Sequence, residues 1–153
     1  MIEQLTEALA ASPARLRRLL AGLESEAVRP HPDVGDWAPI DVLLHIRSSD
    51  AILAPRVGQI LTRPNMPLAD IDERAYAEVL VRAGLTVGEH LDIYAARRAE
   101  LVALLRGLRP PGWALAGQHE RRGPVTVREL VGWIADHEAE HLDQIERARQ
   151  EKS

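Results

Sequence analysis

An all-α protein, a four-helix bundle with crossover loops, is the fold class this sequence predicts, on three observations. Four segments carry apolar residues at spacings of three and four. Two of them open on capping boxes, Thr86-Val87-Gly88-Glu89 and Thr126-Val127-Arg128-Glu129. Strand signals are poor: Phe is absent, Tyr is present only at 76 and 94, and no stretch alternates apolar and polar with β-branched residues. At 153 residues and 17.0 kDa the chain has room for a single domain over 1–153.

The first helical segment runs from about Ile2 to Leu23, with Leu5, Leu9, Leu16, Leu19, Leu20 and Leu23 on its stripe. Ser12-Pro13 lies inside it, either as a kink or as an N-cap followed by a first-turn proline. Pro30, Pro32, Gly35 and Pro39 then mark a loop. The second helix starts at Pro39, with Asp41 favourable in its first turn, and carries Val42, Ile46, Leu53, Val57 and Ile60 to about Leu61. Pro55 predicts a bend or break in it. Pro64 and Pro67 open a long connection containing a short polar helix over Asp72 to Val81. The third long helix follows Thr86 with Leu91, Tyr94, Leu101, Leu105 and Leu108 and ends before Pro110-Pro111-Gly112. The last runs from Thr126 to about Gln150. The connections exceed what an up-down bundle needs, so some neighbouring helices are expected to run parallel.

Composition removes whole classes of function. There is no cysteine, which excludes disulfides, thiolate nucleophiles, iron–sulfur clusters and sulfur-ligated zinc. A metal must be held by His, Asp or Glu. The net charge of −4 and pI near 5.9 argue against a nucleic-acid partner or an anionic membrane surface. The first 23 residues hold no uninterrupted apolar run, so neither a signal peptide nor a membrane span is expected, and the default address is cytoplasmic.

Six histidines are present: 31, 45, 90, 119, 137 and 141. His137 and His141 lie one turn apart, and on a helical projection both fall within about 20° of Leu130. They are thus expected along the middle of the apolar stripe. Two buried imidazoles need a partner, and i, i+4 is the spacing with which two rings share one ion. The competing reading is a pair of core histidines satisfied by carboxylates or backbone carbonyls. His137-Glu138-Ala139-Glu140-His141 literally matches a zincin metalloprotease pattern, with Glu138 as candidate general base. The context opposes a protease. Gln144 and Arg147 stand where the extended motif has Gly and His, and only 12 residues follow His141. Glu138-x-x-His141 also matches half of a di-iron bundle site, but no second Glu-x-x-His exists. On the second helix His45 lies on the flank of the apolar stripe, a placement compatible with facing inward without forcing it.

Ser12-Pro13-Ala14-Arg15-Leu16, Gly22-Leu23, Arg29-Pro30, Gly35-Asp36-Trp37-Ala38-Pro39 and Val42-Leu43-Leu44-His45-Ile46 resemble the opening of the DinB-like superfamily. Gly112-Trp113, Gly117-Gln118-His119, Gly123, Thr126 and His137-x-x-x-His141-Leu142-x-Gln144-Ile145 extend the resemblance over nearly the whole chain. It implies a crossover four-helix bundle, often a homodimer, with one divalent transition metal on His45, His137 and His141. Three neutral imidazoles with open positions form a catalytic type of site, and nickel, zinc or iron would fit it. Relatives include metal-dependent hydrolases and thiol-dependent transferases, the latter needing an external low-molecular-weight thiol, since this chain supplies none. Ala38 departs from the family's usual Ser or Thr cap.

Glu138 and His119 are the expected proton-transfer residues for a small-molecule substrate. The alternative is a non-catalytic bundle that binds a metal or small ligand or dimerises. Asp50 is offered either as a group orienting a ligand ring or as part of a solvated face. Trp37, Trp113 and Trp133 are read as core and loop anchors, and the Arg pairs 17/18, 97/98 and 121/122 as solvated faces. His31 and His90 receive no role.

Overall fold

The computed structural model describes residues 1–30 and 37–151. His31, Gly35 and Asp36, together with part of the expected proline-marked loop, lie outside the described residues. Helix α1 spans Ile2–Leu19, α2 Pro39–Thr62, α3 Glu73–Arg82, α4 Val87–Arg106, α5 Pro110–Trp113 and α6 Val127–Gln150. Strands β1 (Pro67–Leu68), β2 (Ala116–His119) and β3 (Gly123–Thr126) form a small sheet.

Four of the helix starts have a side chain that caps them. Thr86 Oγ1 accepts from the Glu89 N–H at 3.2 Å while Glu89 accepts from the Thr86 N–H at 2.8 Å. The Thr126–Glu129 pair repeats this at 3.1 and 2.8 Å. Asp72 caps α3 through the Arg74 and Ala75 N–H groups. At α2 the hydroxyl is missing, but Asp41 reaches back to the Ala38 N–H at 2.7 Å and also holds Arg29. Half of the capping box survives.

Both internal prolines are absorbed. The first helix runs unbroken through Pro13, which settles the Ser12-Pro13 alternatives in favour of an interior proline; buried Ser12 donates to the Ala8 carbonyl at 3.0 Å. The second continues through Pro55, so of the bend or break expected there the break does not occur. Ile52, Val57 and Ile60 around it are buried, and their packing holds the segment helical despite the missing N–H.

The long helices fill the corners of a bundle in which α1 and α2, consecutive along the chain, are not neighbours in space. Helix α1 packs on α4 and α6, and α2 packs on α6 and α4, so α1 and α2 face each other across a diagonal. Two apolar clusters fill the two ends. One joins Leu9, Val57, Ile60, Leu101, Leu105, Leu130 and Ile134; the other joins Leu16, Leu20, Ile46, Leu91, Tyr94, Leu142 and Ile145. The order in which each helix visits the two ends gives its direction. Helices α1 and α6 run parallel, as do α2 and α4, with the two pairs antiparallel to one another. Salt bridges from Arg15 to Asp143 and Glu146 agree with the first pairing. These parallel neighbours are the crossover topology.

The sheet departs from the expectation of poor strand signals. Strand β1 pairs parallel with β2, and β2 pairs antiparallel with β3. The hairpin closes on Gly123 at φ +71°, a conformation that glycine adopts without strain. Gly117 sits so close to Leu68 that a Cβ there would lie 2.7 Å from its side chain. The register places His119 beside Leu68, next to the α3 approach. No helix among the described residues is long and apolar enough to cross a membrane.

Candidate metal centre

Helix α2 carries His45 and α6 carries His137 and His141, and the antiparallel contact of these helices brings the three rings together. One nitrogen from each lies within 4.8 Å of the others. The His45 and His137 Nε2 atoms are 2.8 Å apart, and the ring centroids are separated by 4.5 to 4.8 Å. All three side chains are half-buried. The structure thus brings His45, which spacing alone left open, to the pair on α6.

The rings do not lie along the middle of the apolar stripe, as the projection from Leu130 implied. The buried face of α6 is Val127, Leu130, Val131, Ile134, Ala135, Glu138, Leu142 and Ile145, and its centre passes through Glu138, with Leu130 at one edge. His137 and His141 stand at the edge of that face, turned toward α2. That offset keeps the cluster near solvent.

Electrostatics and hydrogen bonding favour the ligand form of the rings. Burial, reinforced by the neighbouring His141, pushes His137 down to about 4, so its ring is neutral at physiological pH. His141 Nδ1 pairs with Gln144 Oε1 at 2.8 Å; an amide oxygen only accepts, so Nδ1 carries the proton and the Nε2 lone pair is left for the cluster. On His45, Nδ1 lies 3.9 Å from Glu73 Oε2, the side opposite the close Nε2. A hydrogen-bond partner behind the ring, as Gln144 is for His141, is what orients an imidazole toward an ion. Trp37 covers the cluster, its ring centroid 5.0 Å from that of His45 and 6.2 Å from that of His141. Three convergent imidazole nitrogens suit a divalent transition metal.

A cleft of about 410 Å³ opens on His137. Its walls come from α2, the segment leading into α3, the β2–β3 hairpin and α6. His119 lines it, with its Nδ1 accepting from the Arg121 and Arg122 N–H groups at 3.2 and 3.4 Å. A larger cavity, about 820 Å³, lies at the other end of the bundle among Ile2, Leu105, Trp113 and Arg128, away from the histidines.

The other expected residues fall elsewhere. Glu138 is not brought to the rings. It is 3% exposed, points into the bundle and is ion-paired with Arg98. Burial pushes its carboxyl up while Arg98 opposes the shift. Asp50 neither orients a ring nor lies on a solvated face: it is buried and binds Arg97 at 2.8 Å and Arg98 at 3.0 Å. Arg98, read as solvated, is 1% exposed. Trp113 is core; Trp133 lines the cleft beneath Arg122, whose guanidinium lies 4.4 Å from its ring centroid. His90 is fully buried, and both ring nitrogens lack hydrogen-bond partners. Sequence reasoning also missed Arg56 and Glu73, for which only the three-dimensional placement gives a signal.

A crossover four-helix bundle with a histidine triad beside an open cleft is the class that fold and site define. The chain belongs to the DinB superfamily, whose family model matches residues 8–145. Among solved structures it is similar to YfiT from Bacillus subtilis, described as "a probable metal-dependent hydrolase with an unusual four-helix bundle topology". That match has a TM-score of 0.83 at 20% identity and covers 99% of this chain and 87% of the other. No curated protein matches the chain.

Proposed function

We propose that this protein is a metal-dependent hydrolase of a small molecule, with one divalent transition ion on His45, His137 and His141. The observation that carries the reading is the convergence of three imidazole nitrogens within 4.8 Å at the edge of a cleft. A bound divalent ion supplies Lewis acidity and a nucleophile near neutral pH. The chain's own groups would do the rest. Gln144 would hold the His141 ring, and Trp37 would limit water on one side. His119, which lines the cleft, would act as a donor: Nδ1 accepts from two backbone N–H groups, which leaves the ring N–H on Nε2. Proton acceptance falls to the carboxylates that line the cleft, Glu73, Asp136 and Glu140, rather than to Glu138.

The test is the metal content of protein purified without a histidine tag or added metal, beside His141→Ala. About one transition metal per chain, lost in the variant, is the expected result for a three-nitrogen site. Protein that holds none and takes up none from zinc or nickel buffer would overturn the proposal.

A further inference from the structure

Arg56, on α2 one turn beyond Ile52, is 7% exposed and lines the cleft. Its Nη2 donates to the Ala69 carbonyl. Among the described residues no carboxylate lies within ion-pairing distance of it. The nearest acids are otherwise placed: Asp70 pairs with Arg121, and Glu73 lies by His45. A buried guanidinium is normally matched by a carboxylate, because its desolvation cost is otherwise uncompensated. Burial here pushes its pKa down, with Asp70 and Glu73 only partly offsetting the effect.

The surroundings say what would fit. Ile52, Leu53, Ile71 and Trp133 give the cleft an apolar wall, and its volume of about 410 Å³ is that of a small-ligand site. His119 adds a fixed N–H donor; its Nε2 lies 3.9 Å from Asp70, beyond hydrogen-bond distance. Arg121 and Arg122 also line the cleft, but Arg121 is paired with Asp70 and Arg122 lies over Trp133. Asp70, Glu73, Asp136 and Glu140 would oppose a dianion, so the buried Arg56 is placed to match one monoanion.

We propose that the cleft takes a small organic carboxylate with an apolar body, its carboxylate paired with Arg56 and its reacting group presented toward the histidine triad. The last clause rests on the hydrolase reading; the anion site does not. Arg56 then sets specificity, selecting for the acid over a neutral compound of the same shape.

The probes are 4-fluorophenylacetate and 4-fluorophenylacetamide, titrated by 19F NMR against zinc-loaded and chelator-treated protein. The acid is expected to bind about tenfold tighter than the amide in both forms, the usual scale of one charge-assisted pair. Arg56→Gln should abolish that preference with zinc content unchanged, and Arg56→Lys should keep part of it. Equal binding of acid and amide, absence of binding by either, a preference that survives Arg56→Gln, or one seen only with zinc would each overturn the proposal. Should Arg56→Gln fail to fold, the wild-type comparison and Arg56→Lys still decide. Acid preference in protein that takes up no zinc would sink the hydrolase reading and leave the anion site standing. Zinc uptake without acid preference would do the reverse.

Discussion

His90 shows how one residue can set the acid stability of this bundle. It is fully buried on α4 with neither ring nitrogen hydrogen-bonded, and burial, aided by nearby Arg47, pushes it down to about 4. The unfolded chain therefore binds a proton near pH 6.5 that the folded chain refuses until about pH 4. Stability from this residue is complete above pH 6.5 and falls as pH drops from there to about 4. Between pH 7 and 5 the loss is about 2 kcal/mol. Urea unfolding of wild type and His90→Leu at both pH values checks it: the wild type should lose that much more on acidification than the variant. Equal losses would mean that the ring is protonated in the fold. The His137 and His141 pair is legible in the sequence because i, i+4 histidines are a spacing with a chemical reason, whereas His45 enters only through the family resemblance. The orientation of the pair is less legible, because one helix projected around Leu130 does not reveal which edge α2 covers.

At the scale of elements, legibility follows how local the cause is. The starts of α4 and α6 are readable since Thr86–Glu89 and Thr126–Glu129 are complete within four residues. Strands β2 and β3 are not, since AGQH and GPVT have little strand character of their own and exist through pairing with each other and with Pro67–Leu68. Pro55 works in the opposite direction: local chemistry argues for a bend or break, and α2 nonetheless continues through it with packing on both sides. That conflict predicts a gain. Pro55 is exposed, so Pro55→Ala removes no core contact and restores an N–H to the α2 ladder. The variant should be more stable by about 1–3 kcal/mol, read as a rise in the urea midpoint. A fall would show that the proline ring itself braces the helix.

Over the whole molecule, the two apolar clusters are separated by a polar layer with one residue from each long helix: Ser12, Asp50, Arg98 and Glu138. Two of them occupy the centre of their helix's buried stripe, Arg98 between Tyr94 and Leu101 and Glu138 between Ile134 and Leu142. A charged residue at the centre of an apolar period is the signal that could have found this layer in the sequence; reading Arg97 and Arg98 together as a pair hid it. The layer crosses the bundle at the level from which α6 projects His137 and His141. Rotation of α6 would separate Glu138 from Arg98, so the ion pair opposes the same motion that would disperse the triad. Buried pairs are costly to break singly and close to neutral to replace together. Arg98→Met should therefore destabilise by about 3–5 kcal/mol, leaving Glu138 without its cation, whereas Arg98→Met with Glu138→Leu should recover most of that loss. If the pair also holds the rotation of α6, the double variant will fold well yet bind zinc more weakly than wild type. Urea unfolding and zinc titration of the same samples separate the two effects. Additive stability losses would show that Arg98 and Glu138 act independently, and unchanged zinc affinity in the double variant would confine the layer to stability alone.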